Sequence, residues 1–202
     1  MTNVTFESVS KKIAKTQYPV LELLRSRWSA RAFAETPISH ENLMTLFEAA
    51  VWAPSSMNEQ PWHFVYAHHH DDVFAKFVDC LVEGNQAWAK NAAVLVLILA
   101  KTHHEKGNVP NKYAWYDVGA ATTQMLIQAA SMNIYGHIMG GFEPKKVYEH
   151  FKIPQGYEPV CFTALGYLAD PATLSEPFYT REITPRTRKP LTEVVSHKEA
   201  TI

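Results

Sequence analysis

An α/β or α+β sandwich is the fold class this sequence predicts. Three observations carry that expectation. Ala92 to Ala100 is an unbroken apolar run, rich in Val and Leu, and reads as a strand buried on both faces. Residues 113–133 are apolar nearly all round at helical periodicity, as expected of a helix covered inside its own subunit or by a second one. Other strand-like runs (62–67, 134–139, 160–168) are separated by segments of helical spacing. At 202 residues, one domain spanning 1–202 is expected.

Taken in order, Leu21 to Arg27 is a short helix candidate ending in basic residues. Residues 40–52 form a stronger one: Ser39 can cap it, Glu41 suits its positive end, and Leu43, Leu46, Phe47 and Ala50 share a face. Pro54 ends it, and Pro54–Pro61 reads as loop. Trp62–Ala67 is a strand candidate. Asp71–Val82 follows as a helix with Val73, Phe74, Phe77, Val78 and Leu81 inward. After the 92–100 strand, His103–Lys112 is polar, contains Gly107 and Pro110, and reads as a loop that can cover a site. Asn133 closes the long helix, Ile134–Met139 is a strand ended by Gly140-Gly141, Pro144–Phe151 a short helix, and Val160–Leu168 a last strand. Residues 171–202 are polar and proline-rich, a tail expected to lie against something, such as a neighbouring subunit.

Composition narrows the function classes. Hydrophobic residues are 47% and charged residues 19%, which excludes intrinsic disorder. With 19 basic and 20 acidic residues the formal charge is −1, which argues against a nucleic-acid-coating protein. No run is long enough for a membrane span, and no secretory signal is expected at the N-terminus. Cys80 and Cys161 lie far apart without metal-ligand spacing, as core residues in a reducing cytoplasm would. His68-His69-His70 and His103-His104 lack the spacing and partners of a metal site, and none is expected.

Three segments do not suit a core. Arg27 and Arg31 are four apart, so on a helix or tight turn they converge with Ser29 on one anion; a solvated basic face is the alternative. Arg186 and Arg188 point the same way in an extended chain. Pro54–Trp62 offers two serines, amides and an aromatic, enough to hold a planar heterocycle or simply to order a loop. Gly140-Gly141 lets a ligand approach the backbone closely. Tyr113, Trp115 and Tyr116 either stack over a substrate or fill core or interface. There is no GxGxxG and no Walker motif.

Together these segments resemble the nitroreductase family of FMN-dependent oxidoreductases, from about Leu24 to Val194. Arg27-x-Ser29-x-Arg31-x-Phe33 is similar to the family's flavin-phosphate motif. Pro54-Ser55-Ser56-x-Asn58-x-Gln60-Pro61-Trp62 is similar to its most specific signature. Asp117-x-Gly119 with Gln124, Gly140-Gly141-Phe142 and Arg186-x-Arg188-x-Pro190 follow in the family's order.

The resemblance implies an α+β sandwich around a mainly antiparallel sheet and an obligate homodimer with two FMN molecules at the interface. It implies that Arg27, Ser29 and Arg31 of one subunit hold the phosphate and ribityl end, joined by Arg186 and Arg188. Pro54, Ser55, Ser56, Asn58 and Gln60 of the other subunit then line the ring. Gly140 and Gly141 lie at the flavin edge, and Asn85, which opens an Asn-Gln-x-Trp stretch, contacts the ring. Trp28 packs on the ribityl end or on protein, and Trp88 stands where some members carry lysine. The implied reaction takes a hydride from NADH or NADPH onto flavin N5 and passes electrons to nitroaromatic, quinone or related small-molecule acceptors, in ping-pong order and with no catalytic side chain. Arg31 is the candidate for stabilising charge on the reduced ring. The same resemblance admits dehalogenation, enoate reduction, flavin cannibalisation, or a flavin-binding sensor without turnover.

Overall fold

The computed structural model describes residues 6–197; the outermost residues of the expected 1–202 domain lie outside the described residues. Four strands form one antiparallel sheet: β1 (Trp62–His68), β2 (Val94–Lys101), β3 (Tyr135–Met139) and β4 (Tyr157–Gly166), in the order β1-β2-β4-β3. Among the described residues eight α-helices surround it: α1 (Glu7–Lys12), α2 (Glu22–Ser26), α3 (His40–Val51), α4 (Phe74–Asp79), α5 (Glu83–Ala89), α6 (Ala114–Ser131), α7 (Pro144–His150) and α8 (Phe178–Ile183). The expected α+β sandwich with an antiparallel sheet is what forms.

The apolar run at 92–100 becomes β2, a central strand paired on both sides and buried on both faces. Its alternation splits the core. Val94, Val96, Ile98 and Ala100 face α3 and α6, while Leu95, Leu97 and Leu99 face the layer holding Trp28, Phe77, Trp88 and Phe162. Helix α3 starts where Ser39 accepts the Asn42 amide, a cap worth about 1 kcal/mol. Its buried Leu43, Leu46 and Ala50 lie on α6.

The expected helix over Asp71–Val82 is corrected. Only Phe74–Asp79 is helical, and a separate helix, α5, follows. Tertiary pairing overrides local propensity here. The Cys80 carbonyl accepts from Glu143, Val82 donates to Gly141, and Leu81 bridges Phe142, so the chain leaves the helix to meet the Gly140-Gly141 turn.

The long helix α6 buries one face: Val118, Ala121, Met125, Leu126 and Ala129. Trp115 and Tyr116 on its other side stay exposed within the single chain. The C-terminal segment packs in part on its own chain. Phe178 joins the second core layer and Glu182 is buried, whereas Leu191, Val194 and Val195 are exposed. Among the described residues no helix is long and apolar enough to cross a membrane.

Candidate functional site

Residues 27–32 form an extended segment in which Trp28, Ala30 and Ala32 are buried while Arg27, Ser29 and Arg31 face outward. The three polar residues therefore share one side by the period of two, and not by the helix or tight turn expected for them. Four tethers hold this segment. Glu182, only 1% exposed, accepts the Arg31 amide on both carboxylate oxygens, at 3.2 and 3.1 Å. Arg186 donates Nη1 to the Arg27 carbonyl at 2.6 Å and Nη2 to the Arg25 carbonyl. His137 donates from Nδ1 to the Ala30 carbonyl at 3.0 Å, the only tautomer a carbonyl can accept. Ala169 donates to Ala32.

Electrostatics mark this corner. Burial first, and then Arg188, lowers the Arg27 pKa. Burial lowers that of Arg31 as well, with Glu182 partly offsetting it. Among the described residues neither guanidinium has a carboxylate oxygen within 4.0 Å. Arg31 lies 5.7 Å over the Trp88 ring, and Trp88 in turn packs 4.5 Å from His137. Burial and these arginines push His137 down to about 4. Arg186 Nε is buried and unpartnered, and Arg188 is exposed. The Trp28 ring is enclosed by protein, 4.5 Å from Tyr135.

Pro54–Pro61 forms a different corner. A short 3-10 turn, Ser56–Asn58, sits within it, and Met57, Asn58 and Gln60 hold left-handed backbone with φ of 53°, 56° and 48°. Non-glycine residues seldom adopt that conformation, so the loop needs anchors. Ser55 Oγ accepts the Gln60 amide at 3.0 Å, Gln60 Nε2 donates to the Asn58 carbonyl, and Asp117 Oδ2 accepts the Ser56 amide at 3.0 Å. Pro54, Ser55 and Ser56 line a cleft of about 310 Å³ with Tyr113, Tyr116, Asp117 and Ala120. Glu59 turns away from that cleft and accepts the Glu105 amide at 3.0 Å, which ties the 103–112 loop down.

The Gly140-Gly141 turn meets Asn85, whose Nδ2 donates to the Gly141 carbonyl at 2.9 Å. A methyl on Gly141 would press on Asn85 and Val82, while Gly140 opens to free space. Close approach at Gly141 is thus already used by protein, and Gly140 is the open position.

The strand register shows how far apart these groups sit. Trp62 pairs with Ala100 at one end of β1; His137 lies across β4 and β2 from Ala67, near the other end. The arginine segment, bonded to His137, and the Pro54 loop, leading into Trp62, therefore occupy diagonal corners of the sheet, roughly 20 Å apart by strand spacing and rise. One chain does not bring its two polar clusters together. Glu182, His137 and Lys12, whose Nζ donates to the Arg181 and Thr184 carbonyls, escaped sequence reasoning. Each is a lone polar residue without a motif, and only the fold brings it beneath the arginine segment.

The sequence matches the Nitroreductase family over residues 24–81 and 68–167. A crystal structure described as an oxidoreductase containing FMN is 38% identical, with a TM-score of 0.88 over 93% of this chain and 96% of that one. A nitroreductase family protein from Streptococcus pneumoniae, at 19% identity, superposes with a TM-score of 0.71 over 88% of this chain and 98% of its own, a likeness of fold. An Archaeoglobus fulgidus protein, provisionally named an NADH dehydrogenase/NAD(P)H nitroreductase, is 28% identical across 74% of this chain and 86% of its own length. With the family match spanning most of the sequence, this chain belongs to the nitroreductase family.

Proposed function

We propose that the protein is an FMN-dependent NAD(P)H oxidoreductase that works as a homodimer, each site shared between two copies. One observation carries the reading: Arg27 and Arg31, without a carboxylate partner among the described residues, and the Pro54–Pro61 loop sit at opposite corners of the sheet, so a second copy is needed to bring such groups onto one ligand. Exposed Trp115, Tyr116, Leu191, Val194 and Val195 supply apolar surface of the kind subunit interfaces bury.

The residues present fit the cofactor. Arg27 and Arg31 are half-buried cations with no carboxylate partner among the described residues, a cost that an anionic phosphate offsets. Arg27, Ser29 and Arg31 bind the phosphate and ribityl end, and exposed Arg188 adds charge there. Arg186 acts mainly by holding the segment, since both Nη groups are taken by its carbonyls. Pro54, Ser55, Ser56, Asn58 and Gln60 of the other copy line the ring. Asn85 holds the Gly140-Gly141 turn, whose open position, Gly140, would receive the flavin edge.

Bound there, FMN would supply the redox chemistry, hydride acceptance from NADH or NADPH at N5 and electron delivery to a small nitroaromatic, quinone or related acceptor in ping-pong order. Arg31, its side chain steadied on Trp88, offsets negative charge at the site. Two buried free thiols suit a reducing cytoplasm.

An absorbance spectrum of purified protein, followed anaerobically with NADH and then NADPH, tests the proposal, together with the mass in solution. A yellow dimer bleached by a nicotinamide and recoloured by an acceptor is expected. A monomer that stays colourless after FMN is added and the excess removed overturns it.

A further inference from the structure

Asp117 is the one buried carboxylate in the wall of the Pro54–Ser56 cleft. It lies in the first turn of α6, is 4% exposed, and has no cation within 4.0 Å among the described residues. Its hydrogen-bond partner is the Ser56 amide, at 3.0 Å. That amide opens the turn whose next residues, Met57 and Asn58, hold left-handed backbone, as does Gln60. Within the loop, Ser55 Oγ accepts the Gln60 amide and Gln60 Nε2 donates to the Asn58 carbonyl, while its far end is tied by Glu59 to the Glu105 amide and by the Pro61 carbonyl to the Lys101 amide. Strained backbone persists only where its surroundings over-determine it, and Asp117 is the side chain that fastens this turn to a long, well-packed helix.

We infer that Asp117 is a positioning residue for the redox site: it anchors the ring-lining loop through the Ser56 amide, and its charge holds the cofactor's midpoint potential down. The inference rests on the proposed function. The carboxylate stands one hydrogen bond behind a residue that lines the ring. A negative charge at that depth, little screened, opposes the gain of electrons by its neighbour. The site then sets a cationic corner, Arg27 and Arg31, against an anionic one brought by the other copy. Their balance sets how strongly the reduced cofactor gives up its electrons.

Two variants separate the roles. Asp117→Asn keeps an oxygen to accept from Ser56 and removes the charge; Asp117→Ala removes both. The measurements are the midpoint potential of the FMN-loaded dimer, the FMN dissociation constant, and hydrogen exchange over residues 54–61 in cofactor-free protein. Asp117→Asn is expected to stay yellow with a potential above wild type. Asp117→Ala is expected to exchange faster across the loop and to bind FMN roughly tenfold or more weakly, as loss of a hydrogen bond to a charged group implies. If Asp117→Ala does not fold, the potential of Asp117→Asn still decides. Wild-type potential in Asp117→Asn together with wild-type loop exchange in Asp117→Ala overturns the inference. A wild-type protein that takes up no FMN overturns the proposed function instead, and exchange in the cofactor-free chains then decides the anchoring role alone.

Discussion

His137 makes the arginine segment's integrity depend on pH in a way that can be worked from the structure. Its ring is packed between Trp88 and the 27–31 backbone, with Nδ1–H bonded to the Ala30 carbonyl. Burial first, then Arg31, disfavours the imidazolium and brings the group down to about 4 from an ordinary 6.5. Between those values the unfolded chain binds a proton that the native state does not. Stability from this group is therefore present above about pH 6.5 and is lost as pH falls toward 4. Linkage puts the loss between pH 7 and pH 5 at about 2 kcal/mol. His137→Asn keeps a donor for the Ala30 carbonyl and removes the titration. Urea unfolding of both proteins at pH 7 and pH 5 isolates this histidine from the other nine, because those nine are common to both. The variant is expected to lose about 2 kcal/mol less than wild type over that interval. Equal losses in the two proteins refute the reasoning and mean that the ring is protonated in the fold.

Removing the Glu182 carboxylate by Glu182→Ala leaves the Arg31 amide without an acceptor and deprives buried Lys12 of a nearby anion. About 1–3 kcal/mol should be lost in urea unfolding, the cost of a buried donor left unsatisfied. Glu182→Gln should cost less, about 1 kcal/mol, because it retains one acceptor and removes a charge that burial already disfavours. Gly136→Ala would drive a methyl into Leu126 and Leu165 in the core; a loss of about 1–3 kcal/mol by the same assay is expected. Burial pushes Cys80 up to about 11 and Cys161 up to about 12, so a thiol reagent at pH 8 should modify neither in the native protein and both in urea.

Much of the site was legible because its residues sit in short local patterns. Pro54 to Trp62, the alternating Arg27, Ser29 and Arg31, and the paired glycines each announce themselves within a few positions. What the patterns do not encode is who holds them. Glu182 reaches Arg31 from 151 residues away and His137 reaches Ala30 from 107, distances over which spacing says nothing. The same limit explains why 71–82 is not one helix: Leu81 has a helical neighbourhood in sequence but pairs with Phe142 in space.

By itself, the sequence determined the sheet's buried central strand, the long helix and the polar loops, since each rests on periodicity or turn chemistry within a dozen or so residues. Only the tertiary structure decided that the arginine segment is extended, that buried carboxylates grip both polar loops by their main-chain amides, and that those loops end at opposite corners of one sheet. Such features depend on strand order and register, which emerge when the whole core packs at once and which no local stretch of chain specifies.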